Sequence, residues 1–288
     1  MRLFKTLVLS SRPLSWVNTA IPFGLGYFLV KEEFTLPMVV GMAFFLIPYN
    51  FLMYGINDVF DYESDLRNPR KGGVEGALLP PALHRTTLWA SALLSAPFVF
   101  FLATQGTGRA NLVLGLTLFF VIAYSVKGLR FKEKPFLDSM TSALHFVLPA
   151  VYGLFLAEGS LSPLSITLFA AFFAWGMASH AFGAVQDVIA DREAGLGSIA
   201  TAIGAAGAVR FALALYVLAG LVMLSTPGPL PLIAPAALLY IAAVIPWWRV
   251  EDVMAEAANK GWKWFLLLNF VTGAVIFLVL FEWWTLRG

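Results

Sequence analysis

Asn57, Asp58, Asp61 and Asp65 stand in the run NDVFDYESD, and Asp187 and Asp191 in QDVIADREAG, each at the end of a long apolar stretch. Carboxylates are costly in or beside a bilayer, so collecting them at two such points calls for cations among them. On a helix Asn57, Asp61 and Asp65 are spaced i, i+4, i+8. Asp58 lies one step round, so all four side chains fall within roughly a third of the circumference. Asp187 and Asp191 repeat the i, i+4 relation, and His180 lies on nearly the same line. A Mg²⁺ ion takes oxygen ligands, keeps several waters and is completed by substrate phosphate oxygens. Two carboxylate patches can therefore hold ions on both flanks of one diphosphate. A solvated acidic face is the alternative for a lone DxxxD. For NDxxDxxxD, four mutually repelling oxygen ligands on one face make structural sense only with something cationic among them.

Lys127, Arg130, Lys132 and Lys134 in YSVKGLRFKEKP carry the complementary charge. Lys127 and Arg130 are candidates to bind diphosphate oxygens and stabilise a leaving group. Lys132 and Lys134 read as solvent or headgroup contacts, and any cytoplasmic loop would be basic on topological grounds alone. The segment RNPRKGGVEGALLPP, which begins at Arg67, is too rich in Gly, Pro and charge to span a membrane. It reads as a lid over the diphosphate, or as a cytoplasmic loop without a role. Tyr124 and the other aromatics offer faces to a carbocation, but a membrane interior also uses aromatics for packing. Asn18 and Asn50, on the first two spans, are pocket contacts or helix-to-helix hydrogen bonds. His145 and His180 lie in apolar runs, where a hydrogen-bonded core histidine is the ordinary role, although His180 shares the acidic stripe.

The elements that must position these residues are transmembrane helices. With 59% hydrophobic and 12% charged residues and a mean hydropathy of +0.80, the 288-residue chain has too little polar surface to coat a soluble globule. It reads as an integral membrane protein of a bacterial or archaeal cell membrane. The absence of cysteine excludes disulfides, thiolate metal sites and a cysteine nucleophile. A net charge of +2 leaves no electrostatic footprint for nucleic acid, and nothing in the pattern calls for an obligate protein partner.

Runs near the roughly 20 residues needed to cross the hydrocarbon core give an all-α chain of about nine spans. They cover 14–30, 36–56, 86–104, 111–124, 136–157, 163–186, 206–225, 230–248 and 262–284. Arg12 interrupts the first apolar run, so the N-terminus reads as a retained span with Ser11 as its cap and Pro13 in its first turn. All of the 19 lysines and arginines except Lys31, Arg109 and Arg287 fall in the N-terminal tail or in alternate loops. That asymmetry places the N-terminus and both acidic clusters in the cytoplasm. No polar linker divides the chain, so residues 1–288 read as one transmembrane domain. The acidic clusters follow the second and sixth spans, a faint internal repeat.

NDVFDYESD resembles the NDxxDxxxD signature of the UbiA superfamily of intramembrane prenyltransferases. Asp187, Asp191 and Gly195 in DVIADREAG are similar to its second motif, DxxxDxxxG. YSVK resembles the YxxxKR-like segment of the family, with Gly128 and Leu129 here separating Lys127 from Arg130. SRPLSWVNT and NDVFDYESDLRNPRKGGVEGALL look most like the lycopene-elongase-like branch, which adds five-carbon units to carotenoids. The resemblance covers essentially the whole chain and implies helices arranged around a central cavity. It implies that Asp58, Asp61, Asp65, Asp187 and Asp191 hold Mg²⁺ on an allylic prenyl diphosphate, with Asn57 orienting ligands. Lys127 and Arg130 would neutralise the departing diphosphate, and Arg67, Tyr124, Asn18 and His180 would complete the substrate site. The acceptor would be a lipophilic molecule reached from the bilayer, such as lycopene; an aromatic or quinone precursor is the alternative. A cation-coupled transporter is the reading from another class, but it expects carboxylates near the bilayer midplane.

Overall fold

The structure, a computed structural model, describes residues 2–66 and 78–286, and every regular element among them is a helix. Arg67 and most of the segment read as a lid lie outside the described residues. Among the described residues, eight helical stretches are long and apolar enough to cross a membrane. The first expected span differs. It forms a 3-10 turn, Pro13–Ser15, and a helix of only 12 residues, Val17–Phe28. Such a helix rises about 18 Å, short of the roughly 30 Å hydrocarbon core.

The chain divides into two compact units, and each carries one acidic cluster. Unit 1 holds α1 (Arg2–Ser10), α2 (Val17–Phe28), α3 (Leu36–Leu46), α4 (Pro48–Phe60), α5 (Tyr62–Asp65), α6 (Pro81–Gln105), α7 (Gly108–Ser125) and the later part of α8 (Leu137–Leu156). Unit 2 holds the beginning of α8, then α9 (Pro163–Val185), α10 (Val188–Glu193), α11 (Ile199–Ile203), α12 (Ala205–Leu224), α13 (Ala236–Val244) and α14 (Asn259–Thr285).

In unit 1 one 25-residue span is broken into α3 and α4 at Ile47-Pro48. Proline has no N–H to give the preceding turn, and its ring clashes there. Asn50 repairs the break. Its fully buried amide donates to Phe45 O at 2.7 Å, to Leu46 O at 3.2 Å and to Thr19 Oγ1 on α2 at 2.7 Å. A group that reads from sequence as a pocket contact or a helix tie is thus the tie. Beside it Phe23, Phe44, Phe45, Tyr49 and Tyr152 form a buried aromatic cluster.

α2 and α8 meet backbone to backbone. A Cβ on Gly26 would strike the Ala150 carbonyl, and one on Gly153 would strike Phe23 O and Tyr27 N. Overpacking a core costs about 1–3 kcal/mol even where side chains can yield, and here the obstacle is backbone. Gly153→Leu is therefore expected to abolish the monodisperse peak of the detergent-solubilised protein in size-exclusion chromatography. Gly115→Leu, whose Cβ meets open space, is expected to retain it.

In unit 2 the principal seam lies between α9 and α12. Ala178, Ala181, Ala208 and Ala212 are fully buried there with Phe182 and Val209. Small residues let two helices approach closely where lipid offers no hydrophobic drive. The Ser179 and Tyr216 hydroxyls, 3.0 Å apart, pin the seam. α9 ends at Val185, two residues before Asp187, so this packing aims the second acidic cluster.

Candidate active site

The acidic residues of unit 1 stay in helical register across the boundary of α4 and α5. Asp61 N–H donates to Asn57 O at 2.9 Å, and Asp65 N–H to Asp61 O at 2.8 Å. The i, i+4, i+8 spacing of Asn57, Asp61 and Asp65 is therefore realised, and Asp61 and Asp65 are buried at 7% and 6% exposure. Asn57 Oδ1 accepts the Ser125 hydroxyl of α7 at 3.1 Å.

Asp58 points elsewhere. Its side chain is fully enclosed; one oxygen accepts Ser10 Oγ at 2.8 Å and the other pairs with Arg12 Nη2 at 3.0 Å. The Arg12 guanidinium also lies 4.3 Å from the centre of the Tyr54 ring. Removing one partner of a buried ion pair costs about 3–5 kcal/mol, because the other charge is left uncompensated. Ser11, expected as an N-cap, instead donates to Val8 O at 2.6 Å and closes the end of α1. Arg12 precedes the 3-10 turn in its place, at φ 49°.

Arg130 reaches the cluster through an irregular turn. After α7, Leu129 and Arg130 N–H both donate to Val126 O, with Gly128 at φ 94° and Arg130 itself at φ 39°. Gly128 takes that conformation at no steric cost. The two residues that part Lys127 from Arg130 in the sequence thus fold the chain back, and Arg130 Nη2 comes to 3.7 Å from Asp61 Oδ1. Lys127 is exposed on the same turn. Tyr124 is half-buried one turn earlier, edge-on to His145. His145 is a core histidine, its Nε2 3.2 Å from Phe120 O. Asn18 sits half-buried in the first turn of α2.

In unit 2, Asp187 precedes α10 and accepts the N–H of Asp191 on its carbonyl at 2.8 Å, so the two half-buried carboxylates stand one helical turn apart. Gly195, at φ 68°, ends that helix. Its N–H donates to Arg192 O and that of Leu196 to Asp191 O, the paired bonds of a Schellman close. The glycine of DxxxDxxxG is there because a left-handed residue must follow the second carboxylate. Arg192 ties the turn to Asp252 and to Thr201 O. Fully buried Asp138 accepts Ser139 N–H and Ile199 N–H, both at 2.7 Å, joining the start of α8 to α11. Ser139 Oγ lies 3.2 Å from Nδ1 of His180, which the structure thus places beside the start of α8.

Among the described residues no three His, Asp or Glu side chains lie together as a ready metal cage. What the fold offers is two pairs of carboxylates, Asp61 with Asp65 and Asp187 with Asp191, each pair one turn apart on a helix. That donor set fits Mg²⁺, which is held by one or two carboxylates and completed by waters and phosphate oxygens. Arg130 beside Asp61 adds a cation suited to phosphate.

The model of the UbiA prenyltransferase family matches residues 19–285. The chain belongs to this family. Being a UbiA prenyltransferase makes it an enzyme and sets aside the transporter reading. The lycopene elongase/hydratase of Corynebacterium glutamicum is 51% identical over 280 residues, which cover 97% of this chain and 98% of that one. The C(50) beta-cyclic carotenoids biosynthesis protein LbtBC of a Dietzia species is 56% identical over 272 residues, 94% of this chain and 63% of that longer protein. A UbiA homologue from Archaeoglobus fulgidus, bound to GPP and Mg²⁺, superposes with a TM-score of 0.69 at 18% identity, covering 94% of this chain and 99% of the other. The helical fold is that of UbiA homologues, and the chain is an integral membrane protein.

Several residues that shape these sites escape sequence reasoning. Ser10, Ser125 and Ser139 are ordinary hydroxyls with no pattern to mark them. Arg12 carries a signal in retrospect, a charge that breaks an apolar run before a proline. Asp138 carries another, a lone acid opening a span.

Proposed function

We propose that this chain transfers a dimethylallyl group from its diphosphate to a terminal double bond of lycopene or a closely related carotenoid. The identity of 51% along nearly the full length of a lycopene elongase/hydratase carries the choice of acceptor. The residues support the reaction class. Asp61, Asp65, Asp187 and Asp191 serve Mg²⁺ ions on one diphosphate, at a site facing the cytoplasm, with residues 1–288 acting as one catalytic domain around a cavity open to lipid. Bound Mg²⁺ supplies positive charge that makes diphosphate a better leaving group.

The chain's own groups do the rest. Arg130, and Lys127 from the same turn, donate to diphosphate oxygens as the allylic C–O bond breaks and its electron pair departs with the leaving group. Asn57, held by Ser125, orients the carboxylates beside it. Apolar span surfaces keep water from the allyl cation until the acceptor's π electrons form the new C–C bond. The resulting tertiary cation then loses a proton, or adds water and releases a proton from the oxygen. Arg67, Asn18, Tyr124 and His180 complete the diphosphate and acceptor contacts in this reading.

Detergent-solubilised enzyme, given radiolabelled dimethylallyl diphosphate, Mg²⁺ and lycopene, is expected to yield labelled carotenoids lengthened by one or two five-carbon units. Label entering only quinoid or phenolic acceptors from a parallel panel would overturn the carotenoid assignment.

A further inference from the structure

The NDxxDxxxD helix presents its polar groups to three different elements, and only part of the set faces the chemistry. Asn57 meets Ser125 of α7, Asp61 meets Arg130 of the basic turn, and Asp58 meets Ser10 and Arg12 at the end of α1. We propose that Asp58 is not a metal ligand but the counter-ion that locks Arg12, and with it the end of α1, onto α4, making Arg12 a positioning residue for Asp61 and Asp65. This rests on the assignment of those two carboxylates to the metal.

Three observations carry it. Both Asp58 oxygens are taken, one by a hydroxyl and one by a guanidinium, in a position with 1% exposure. A metal ion there would have to evict a cation from a buried site, and the displaced guanidinium would lose its partner. Secondly, Arg12 holds φ 49° and ψ 73° immediately before Pro13, where a non-glycine residue is ordinarily driven to extended backbone. Such a conformation persists only when its surroundings over-determine it. The surroundings here are Asp58, the Tyr54 ring one turn before Asp58 on α4, and the Trp16 indole, which donates to Ser11 O at 3.0 Å and so closes the turn from the other side. Thirdly, the lock engages α4 three residues before Asp61, so a shift of α1 is transmitted to the first carboxylate of the pair without touching it.

The test uses the full-length enzyme in detergent, with Mn²⁺ and inorganic pyrophosphate as the binding probe. Asp58→Asn is expected to bind Mn²⁺ with wild-type stoichiometry and a smaller loss of affinity than Asp61→Asn, which weakens it by at least about tenfold. Arg12→Ala and Asp58→Asn should each lower the melting temperature, and the combined variant should melt no lower than the worse single one, since the second substitution has no intact pair left to break. Arg12→Ala should also lower kcat by roughly ten- to a hundredfold with KM for the allylic diphosphate unchanged, the mark of misplaced chemistry rather than a lost substrate contact. Should the single variants not fold, Arg12→Leu/Asp58→Leu removes both charges together, and Mn²⁺ bound by it at wild-type stoichiometry supports the proposal. Mn²⁺ binding lost equally at Asp58 and Asp61, additive melting shifts, or a raised KM at Arg12 would each overturn it. Unchanged Mn²⁺ binding in Asp61→Asn would instead remove the metal assignment, leaving the coupling of residues 12 and 58 to be read from melting alone.

Discussion

Asp61→Ala and Asp187→Ala are each expected to lower kcat/KM for prenyl transfer by about 10²–10³-fold, as removal of a single transition-state stabiliser does elsewhere, while leaving folded protein. Both carboxylates belong to a pair set one helical turn apart by a backbone hydrogen bond of 2.8 Å, Asp65 to Asp61 and Asp191 to Asp187. Each variant leaves its pair with one carboxylate, so the ion is held more weakly and its position on the diphosphate is less fixed. Chelation should silence the wild type entirely, and added Mg²⁺ should restore it. Neither variant should recover fully at any Mg²⁺ concentration. The measurement is diphosphate release against Mg²⁺ concentration. Full turnover in chelator, or wild-type rates in both variants, would sink the metal-dependent mechanism.

Arg130→Ala should lower kcat/KM by about 10²-fold, and Lys127→Ala by clearly less. Arg130 is the basic residue of the turn whose guanidinium is brought to 3.7 Å from Asp61, at 23% side-chain exposure, whereas Lys127 is exposed. A half-buried guanidinium is less screened by water and salt than an exposed ammonium, and its planar fork suits phosphate oxygens. Arg130→Gly separates charge from conformation, because glycine accepts φ 39° without strain. The glycine variant should therefore match alanine in kinetics and exceed it in melting temperature. Steady-state rates and thermal unfolding of the three variants check this; equal losses at positions 127 and 130 would refute the geometric distinction.

Much of this was legible along the chain because the physics is local. A run near 20 apolar residues means a span wherever it occurs, and an i, i+4 spacing means a shared helix face whatever else the chain does. That is why the acidic registers survive intact, and why Gly195 could be matched to a motif before its left-handed role was visible. At the first span the local logic is incomplete, since composition alone does not register that its regular helix is confined to 12 residues.

The remainder depended on partners distant in sequence. Asp58 and Asp61 look equivalent in NDVFDYESD, yet one is enclosed by Ser10 and Arg12 and the other faces Arg130. Asn50 reads as pocket or tie until Phe45 O and Thr19 are seen beneath it. The intervening Gly128-Leu129 reads as carrying Arg130 away from the site until the positive φ angles of Gly128 and Arg130 turn it back. By itself the sequence determined the membrane class, the helical spacing of the carboxylates and the family, all properties of residue type and period. Only the tertiary structure decided which carboxylate is spent on a protein cation and which basic residue meets the acids, because spacing fixes the face a side chain shares but not the distant element that fills it.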